Sequence, residues 1–189
     1  MSGLLGWDQA ATVWINQHHS LWLDILLMPV AWLGEAGLWA VLFLLAMLIW
    51  GGRRERLLTL ILAGGLLATE LLLMPWFREL WPRPRPYLYL PEIRQMGVPW
   101  SSPSFPSAHM HLWVQATLLY GLAYRRALGP LVALTLLTAY SRPYAGMHHV
   151  LDVAAGMGLG AVMGLLEVLV AKQAGLLGGR GRPERPSQG

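Results

Sequence analysis

The chain has 189 residues, of which 55% are hydrophobic and 13% charged, with a formal net charge of +4. A soluble domain carries about 25% charged residues, so this chain has too little polar surface to coat a water-soluble globule, and the same composition excludes disorder over most of its length. There is no cysteine, which excludes disulfides, thiol nucleophiles and Cys-ligated metals.

A membrane span needs about 20 apolar residues. With mean hydropathy +0.45, the chain predicts an all-α, polytopic membrane helix bundle of five or six transmembrane helices plus an N-terminal interfacial helix. Residues 4–17 are mildly amphipathic and too polar to span, which fits a helix lying at the interface. No basic segment precedes the first apolar stretch, so no cleaved signal peptide is expected. Leu21–Leu33 is apolar but short, either re-entrant or a short span. Leu38–Trp50 is strongly apolar and follows a Gly-Glu-Ala-Gly break. A charged turn, Gly51 to Arg56, leads into Leu57–Trp76, a predicted span. Residues 77–106 are rich in Pro, Arg, Ser and aromatics. His109–Tyr124 and Leu128–Tyr140 are shorter apolar runs separated by Arg125-Arg126. Leu151–Ala171 is a final span whose Gly and Ala residues permit close helix packing. Residues 1–174 read as a single integral membrane domain and 175–189 as a disordered cytoplasmic tail.

Nine of the 14 basic residues fall in three segments: Arg53/Arg54/Arg56, Arg125/Arg126 and Lys172/Arg180/Arg182/Arg185. Alternating spans put all three on one side, which the positive-inside rule makes cytoplasmic. The other five, Arg78, Arg83, Arg85, Arg94 and Arg142, fall on the opposite side. Cations held at that outer interface against the rule fit an anionic substrate at the membrane, and the basic balance is read as topology rather than nucleic-acid binding.

Three clusters lie on this outer side. The first is Arg78-x6-Arg85-Pro86. The second, Pro106-Ser107-Ala108-His109, opens a helix whose N-terminal amides and dipole favour an anion. The third is Ser141-Arg142-x5-His148-x3-Asp152. With His148 and Asp152 at i and i+4, the carboxylate is expected to accept from one imidazole nitrogen and leave the other as a nucleophilic lone pair. A second histidine, His109, is suited to protonate a leaving oxygen. Arginine forks match phosphate oxygens. Together these groups describe a phosphoryl-transfer site.

The sequence resembles the type 2 phosphatidic acid phosphatase superfamily of membrane phosphatases, which also contains vanadium haloperoxidases. The family pattern is KxxxxxxRP, PSGH and SRxxxxxHxxxD. Here the first motif has Arg78 in place of Lys, the second has Ala108 in place of Gly, and the third matches in full. The resemblance implies that His148 attacks phosphorus to form a phosphohistidine, with Asp152 orienting it. His109 would protonate the leaving oxygen and later activate water. Arg78, Arg85, Ser107, the Ala108 amide and Arg142 would bind the phosphoryl oxygens. It implies no metal and no cofactor, and the chain carries no HExxH motif. Its size resembles small bacterial members acting on undecaprenyl pyrophosphate or phosphatidylglycerophosphate, in the inner membrane with the site on the periplasmic side. The expected partners are a lipid phosphate and membrane lipids, with no nucleic acid; oligomeric state is left open. Undecaprenyl pyrophosphate is the favoured substrate. Phosphatidylglycerophosphate or phosphatidic acid hydrolysis, or lipid phosphotransfer at the same site, is the alternative.

Other residues carry competing readings. Arg83 reads as a secondary phosphate ligand or part of a Pro-stiffened turn, and Arg94 as solvated. His111 and His149 are expected on other helix faces than the catalytic pair. Glu70 inside a span reads as packing, or as a group with a substrate or proton role. Trp76, Phe77, Trp81, Tyr87, Tyr89 and Trp100 read as an acyl-recognition surface or, as the favoured reading, an aromatic belt at headgroup level.

Overall fold

A computed structural model of the chain describes residues 3–33 and 37–177. The Gly34–Ala36 part of the glycine-bounded break and residues 178–189 of the tail lie outside the described residues. Those described form helices joined by turns, with no strand among them. The helices are α1 (Leu4–Gln17), α2 (Leu21–Leu33), α3 (Leu38–Trp50), α4 (Arg53–Ala68), α5 (Met74–Leu80), α6 (Ala108–Ala123), α7 (Arg125–Tyr144) and α8 (Val150–Gln173).

A π turn, Thr69–Leu73, joins α4 to α5 without a break. Its cause is local. Pro75 has no N–H for the carbonyl four residues back, and its ring crowds that carbonyl. The helix widens just before it, and Met74 N–H bonds the Thr69 carbonyl. The predicted span Leu57–Trp76 thus extends at both ends to the 28 residues Arg53–Leu80, within which an 18-residue stretch has mean hydropathy 2.1; Val150–Gln173 has 24 residues and an 18-residue stretch of mean hydropathy 2.0. At about 1.5 Å per residue both helices exceed a ~30 Å hydrocarbon core. The run predicted to stop at Tyr140 continues through Ser141 and Arg142, whose polar side chains are buried and hydrogen-bonded at the end of α7.

The centre of the bundle is α6, packed against α8 and α7, with α4 behind and α1 across the ends of α7 and α8. Glycines set the α6–α8 approach. A Cβ at Gly156 would sit 2.4 Å from the Ser107 carbonyl oxygen, and one at Gly160 would sit 2.7 Å from His111 Cα. Gly164 faces Gln115 and Leu118 in the same way. This stripe at i, i+4 and i+8 brings the start of α8 beside the start of α6, where Ser107 N–H donates to the Asp152 carbonyl at 3.0 Å.

Polarity is distributed inside out. Leu71, Leu72, Leu165, Leu169 and Val170 are exposed, whereas Gln115, Thr138, Arg142 and Asp152 are buried. Helix α1 follows the same logic. Its Asp8, Thr12 and Asn16 are buried while Leu4, Trp7 and Trp14 are exposed, so the polar stripe of the predicted interfacial helix faces protein rather than water. The basic segments Arg53–Arg56 and Arg125 stand at the opposite end of the bundle from Arg78 and Arg142, at the other ends of the same helices. There Arg54 donates to the Ala123 and Leu176 carbonyls at 3.1 and 3.0 Å. The first residues of the segment read as tail turn back at Gly175, and Leu176 and Leu177 pack against Leu58, Leu62 and Val168.

Gly160→Val forces α8 away from α6 and costs about 1–3 kcal/mol. Gly158→Ala, facing open space inside α8, raises stability by about 0.5–1 kcal/mol. Thermal unfolding in detergent separates the two.

Candidate active site

Arg83 and Arg85 flank Pro84 ahead of the 3-10 turn Pro86–Leu88, and their side chains go to different partners. Arg83 reaches Asp152 Oδ1 at 2.9 Å and Asp8. Arg85 donates to the Ser102 carbonyl at 3.0 Å, the Met147 carbonyl at 3.1 Å and Ser102 Oγ at 3.2 Å. Its Nη1 also stands 3.4 Å from His148 Nε2.

The turn from α7 to α8 holds His148. Gly146 makes it possible, with φ +73° and no room for a Cβ, which would lie 2.5 Å from Ile93 Cγ2. His148 Nδ1 lies 2.8 Å from the Ser104 carbonyl oxygen. A carbonyl only accepts, so Nδ1 carries the proton and Nε2 presents a lone pair beside Arg85. The hydrogen bond expected from His148 to Asp152 is not made, since Nδ1 and Oδ2 are 3.9 Å apart. Asp152 is already engaged. It accepts from the His149 backbone N–H at 2.8 Å and approaches His149 Nδ1 at 3.1 Å in a capping box at the start of α8, while Arg83 takes its other oxygen. Ser104, absent from the sequence reasoning, orients the imidazole instead, and Asp152 acts on it as a nearby negative charge.

His148 is buried at the guanidinium-rich end of the bundle. Burial, followed by the charges of Arg85 and Arg142, disfavours the imidazolium and pushes its pKa down to about 3, against the pull of Asp152.

Ser107 caps α6 and Ala108 is its first helical residue. No described non-glycine residue has positive φ, so Ala in place of the family's Gly costs this loop no backbone strain. Ser107 Oγ is buried without a hydrogen-bond partner. On the next residues of the same turn, Arg142 Nη1 stands 3.2 Å from His109 Nε2, while Nη2 donates to the Ala31 carbonyl at 3.1 Å. Arg78, in the last turn of α5, has a buried Nε with no partner and lies 3.8 Å from Glu70. One cavity of ≈ 800 Å³ is lined by Arg78, Arg85, Ala108, His109, Arg142 and His148. Of the predicted site residues, these six converge on it, and Ser107 and Asp152 sit buried beside them.

The secondary candidates divide. Arg83 is a buried tie between carboxylates and does not line the cavity. Arg94, read as solvated, pairs with Asp24 at 2.8 Å. Buried His111 bonds Glu70 at 2.9 Å, and Glu70 lines the cavity. Trp100 also lines it, and the Tyr89 hydroxyl bonds His149 Nε2 at 2.8 Å, while both side chains remain exposed.

The family pattern described as the PAP2 superfamily matches residues 55–175, which include all three motifs. The chain belongs to the PAP2 superfamily. PAP2 enzymes include membrane lipid phosphatases, and this chain is a hydrolase of phosphate esters. Its fold is shared with LpxE of Aquifex aeolicus, at a TM-score of 0.72 and 24% identity over 85% of this chain and 93% of that one. It is shared equally with the first transmembrane PAP2 type phosphatidylglycerolphosphate phosphatase from Bacillus subtilis, at a TM-score of 0.71 and 21% identity over 94% of this chain and 89% of that one. No curated protein matches the sequence. The PAP2 match begins after α3, so α1 and its Asp8 lie outside it.

Folding excludes a proton from His148, lowering its pKa from an ordinary 6.5 to about 3. Between those values the unfolded chain binds a proton that the folded chain does not. Stability is therefore full above pH 6.5 and falls as the pH drops through that window. His148→Gln removes this contribution to the slope. Unfolding temperatures across the window measure it, and equal slopes in wild type and variant would contradict the geometry.

Proposed function

We propose that the chain is a metal-independent membrane lipid phosphatase that acts through a phosphohistidine, with an undecaprenyl pyrophosphate headgroup as the favoured substrate. One observation carries the lipid assignment. The cavity that holds the imidazoles and guanidinium groups continues without interruption into an apolar cleft. Its apolar lining includes Ala40, Phe43 and Leu66, Ala116 and Tyr120 of α6, and Leu131 and Leu134 of α7. Along α7 the lining runs from Arg142 to Ala127, about 22 Å at ~1.5 Å per residue. A headgroup among the arginines leaves its hydrocarbon chain in this cleft. A single cleft favours a one-chain polyprenyl lipid over a two-chain glycerophospholipid.

In the reaction, His148 Nε2 attacks phosphorus. The N–P bond forms as the bond to the leaving oxygen breaks, and His109 gives that oxygen a proton. His109 then takes a proton from water, the hydroxide attacks phosphorus, and the N–P bond breaks to release phosphate and restore neutral His148. Arg78, Arg85, Arg142, Ser107 and the Ala108 amide hold the equatorial oxygens, where charge develops away from bulk water. Asp152 stabilises the cationic phosphohistidine through space. Placing the site on the periplasmic side follows from the basic segments at the other end of the bundle.

His148→Ala loses about 10³-fold or more of turnover and the acid-labile phosphoenzyme, while remaining folded. A near-normal rate in that variant sinks the mechanism. Phosphate release from undecaprenyl pyrophosphate, phosphatidic acid and phosphatidylglycerophosphate, with and without a lipid acceptor, decides the substrate and separates hydrolysis from transfer. Ala116→Trp narrows the cleft. It lowers kcat/KM for the long-chain lipid by about tenfold and leaves that for a short soluble phosphate ester unchanged.

A further inference from the structure

Helix α1 precedes the family region, yet it reaches the centre of the site. Asp8 accepts the Leu151 backbone N–H on Oδ1 at 2.8 Å and binds Arg83 Nη2 through Oδ2. Arg83 Nη1 binds Asp152 at 2.9 Å. The side chains of Asp8 and Asp152 are 0% exposed and that of Arg83 is 6% exposed, so the chain of charges is closed to water. The Arg83 backbone carries the link further. Its carbonyl accepts from Ser104 N–H at 2.8 Å and from Ser104 Oγ at 3.2 Å, and the Ser104 carbonyl bonds His148 Nδ1. Both arms of Arg83 therefore end on the groups that surround the nucleophile. Both Asp152 oxygens accept, one from Arg83 and the other from His149, and His149 is tied through Tyr89 to Gln9, also on α1.

We infer that Asp8 is a positioning residue for the reaction: by clamping Arg83 it fixes Asp152 and the Ser104–His148 contact, which makes α1 a working wall of the active site. The inference rests on the proposed phosphohistidine chemistry. Two carboxylates sharing one guanidinium hold its fork in a single orientation, which neither would impose alone. Other α1 contacts dock the helix without touching Arg83: Val150 N–H donates to Thr12 Oγ1 at 3.2 Å, and Asn16 bonds the Tyr144 carbonyl at 2.8 Å and the Arg94 backbone.

The test exploits this separation. Asp8→Asn keeps an acceptor for Leu151 N–H and removes the charge on Arg83. It should lower kcat at least tenfold with KM within threefold, on both lipid and short soluble phosphate esters. Vanadate affinity, read by calorimetry without turnover, should fall by the same factor, because vanadate mimics the trigonal phosphorus bonded to His148. Thr12→Val, which loosens docking alone, should keep kcat. In an Arg83→Gln background Asp8→Asn should add no further loss. Should Asp8→Asn fail to fold, Arg83→Lys tests the same link, since an ammonium cannot bridge both carboxylates as a fork. Full kcat and vanadate affinity in either folded variant, or losses that simply multiply in the double variant, overturn the inference. A wild type that binds vanadate in an Asp8-dependent way yet releases no phosphate would instead sink the proposed function alone.

Discussion

The close approach of α6 and α8 is the constraint on which the site depends. The two histidines lie far apart in sequence, and each sits at the first turn of its helix or just before it. Only where Gly156, Gly160 and Gly164 let the backbones meet can Ser107 N–H reach the Asp152 carbonyl. That contact joins the PSAH segment to the HxxxD segment. In lipid, where burying apolar side chains gives no advantage to one helix pairing over another, small residues and polar contacts decide which helices pair. The same glycines therefore specify both the fold and the geometry of the reacting groups.

The electrostatics follow from what each guanidinium touches. Arg83 is neutralised between two carboxylates. Arg85 bonds neutral acceptors, the Ser102 and Met147 carbonyls and Ser102 Oγ, and its charge stays uncancelled beside His148. Two arginines one residue apart thus have different surroundings, Arg83 tied between carboxylates and Arg85 lining the cavity beside His148. A neutral imidazole beside the Arg85 guanidinium resists protonation, and the guanidinium favours an anion in the same cavity, the combination that the proposed phosphohistidine chemistry requires.

The bundle and the convergence of the three motifs were legible because apolar runs of helical length and fixed motif spacings are properties of sequence alone. Leu21–Leu33 and Leu38–Trp50 appear as helices with the expected bounds. The carboxylate–imidazole bond was not legible. The i, i+4 spacing of His148 and Asp152 promises a shared face only if both are helical, and α8 begins at Val150 with His149 as its cap. The Ser104 carbonyl could not have been found from residue types, because a backbone acceptor has no identity in sequence. Asp8 did leave a trace: Asp8, Thr12 and Asn16 form a polar stripe at i, i+4 and i+8 in a helix whose other face is Trp and Leu. The expectation of an interfacial helix over residues 4–17 did not single out these three, although in a chain surrounded by lipid such a stripe belongs against protein.

Ser107 Oγ and Arg78 Nε are buried beside the cavity without partners. Donors left unmet in a dry setting carry an energetic cost that any tetrahedral oxyanion relieves. On the proposed phosphatase reading, inorganic phosphate meets the same unmet donors as the headgroup that delivers it, so the released product competes with fresh substrate for the cavity.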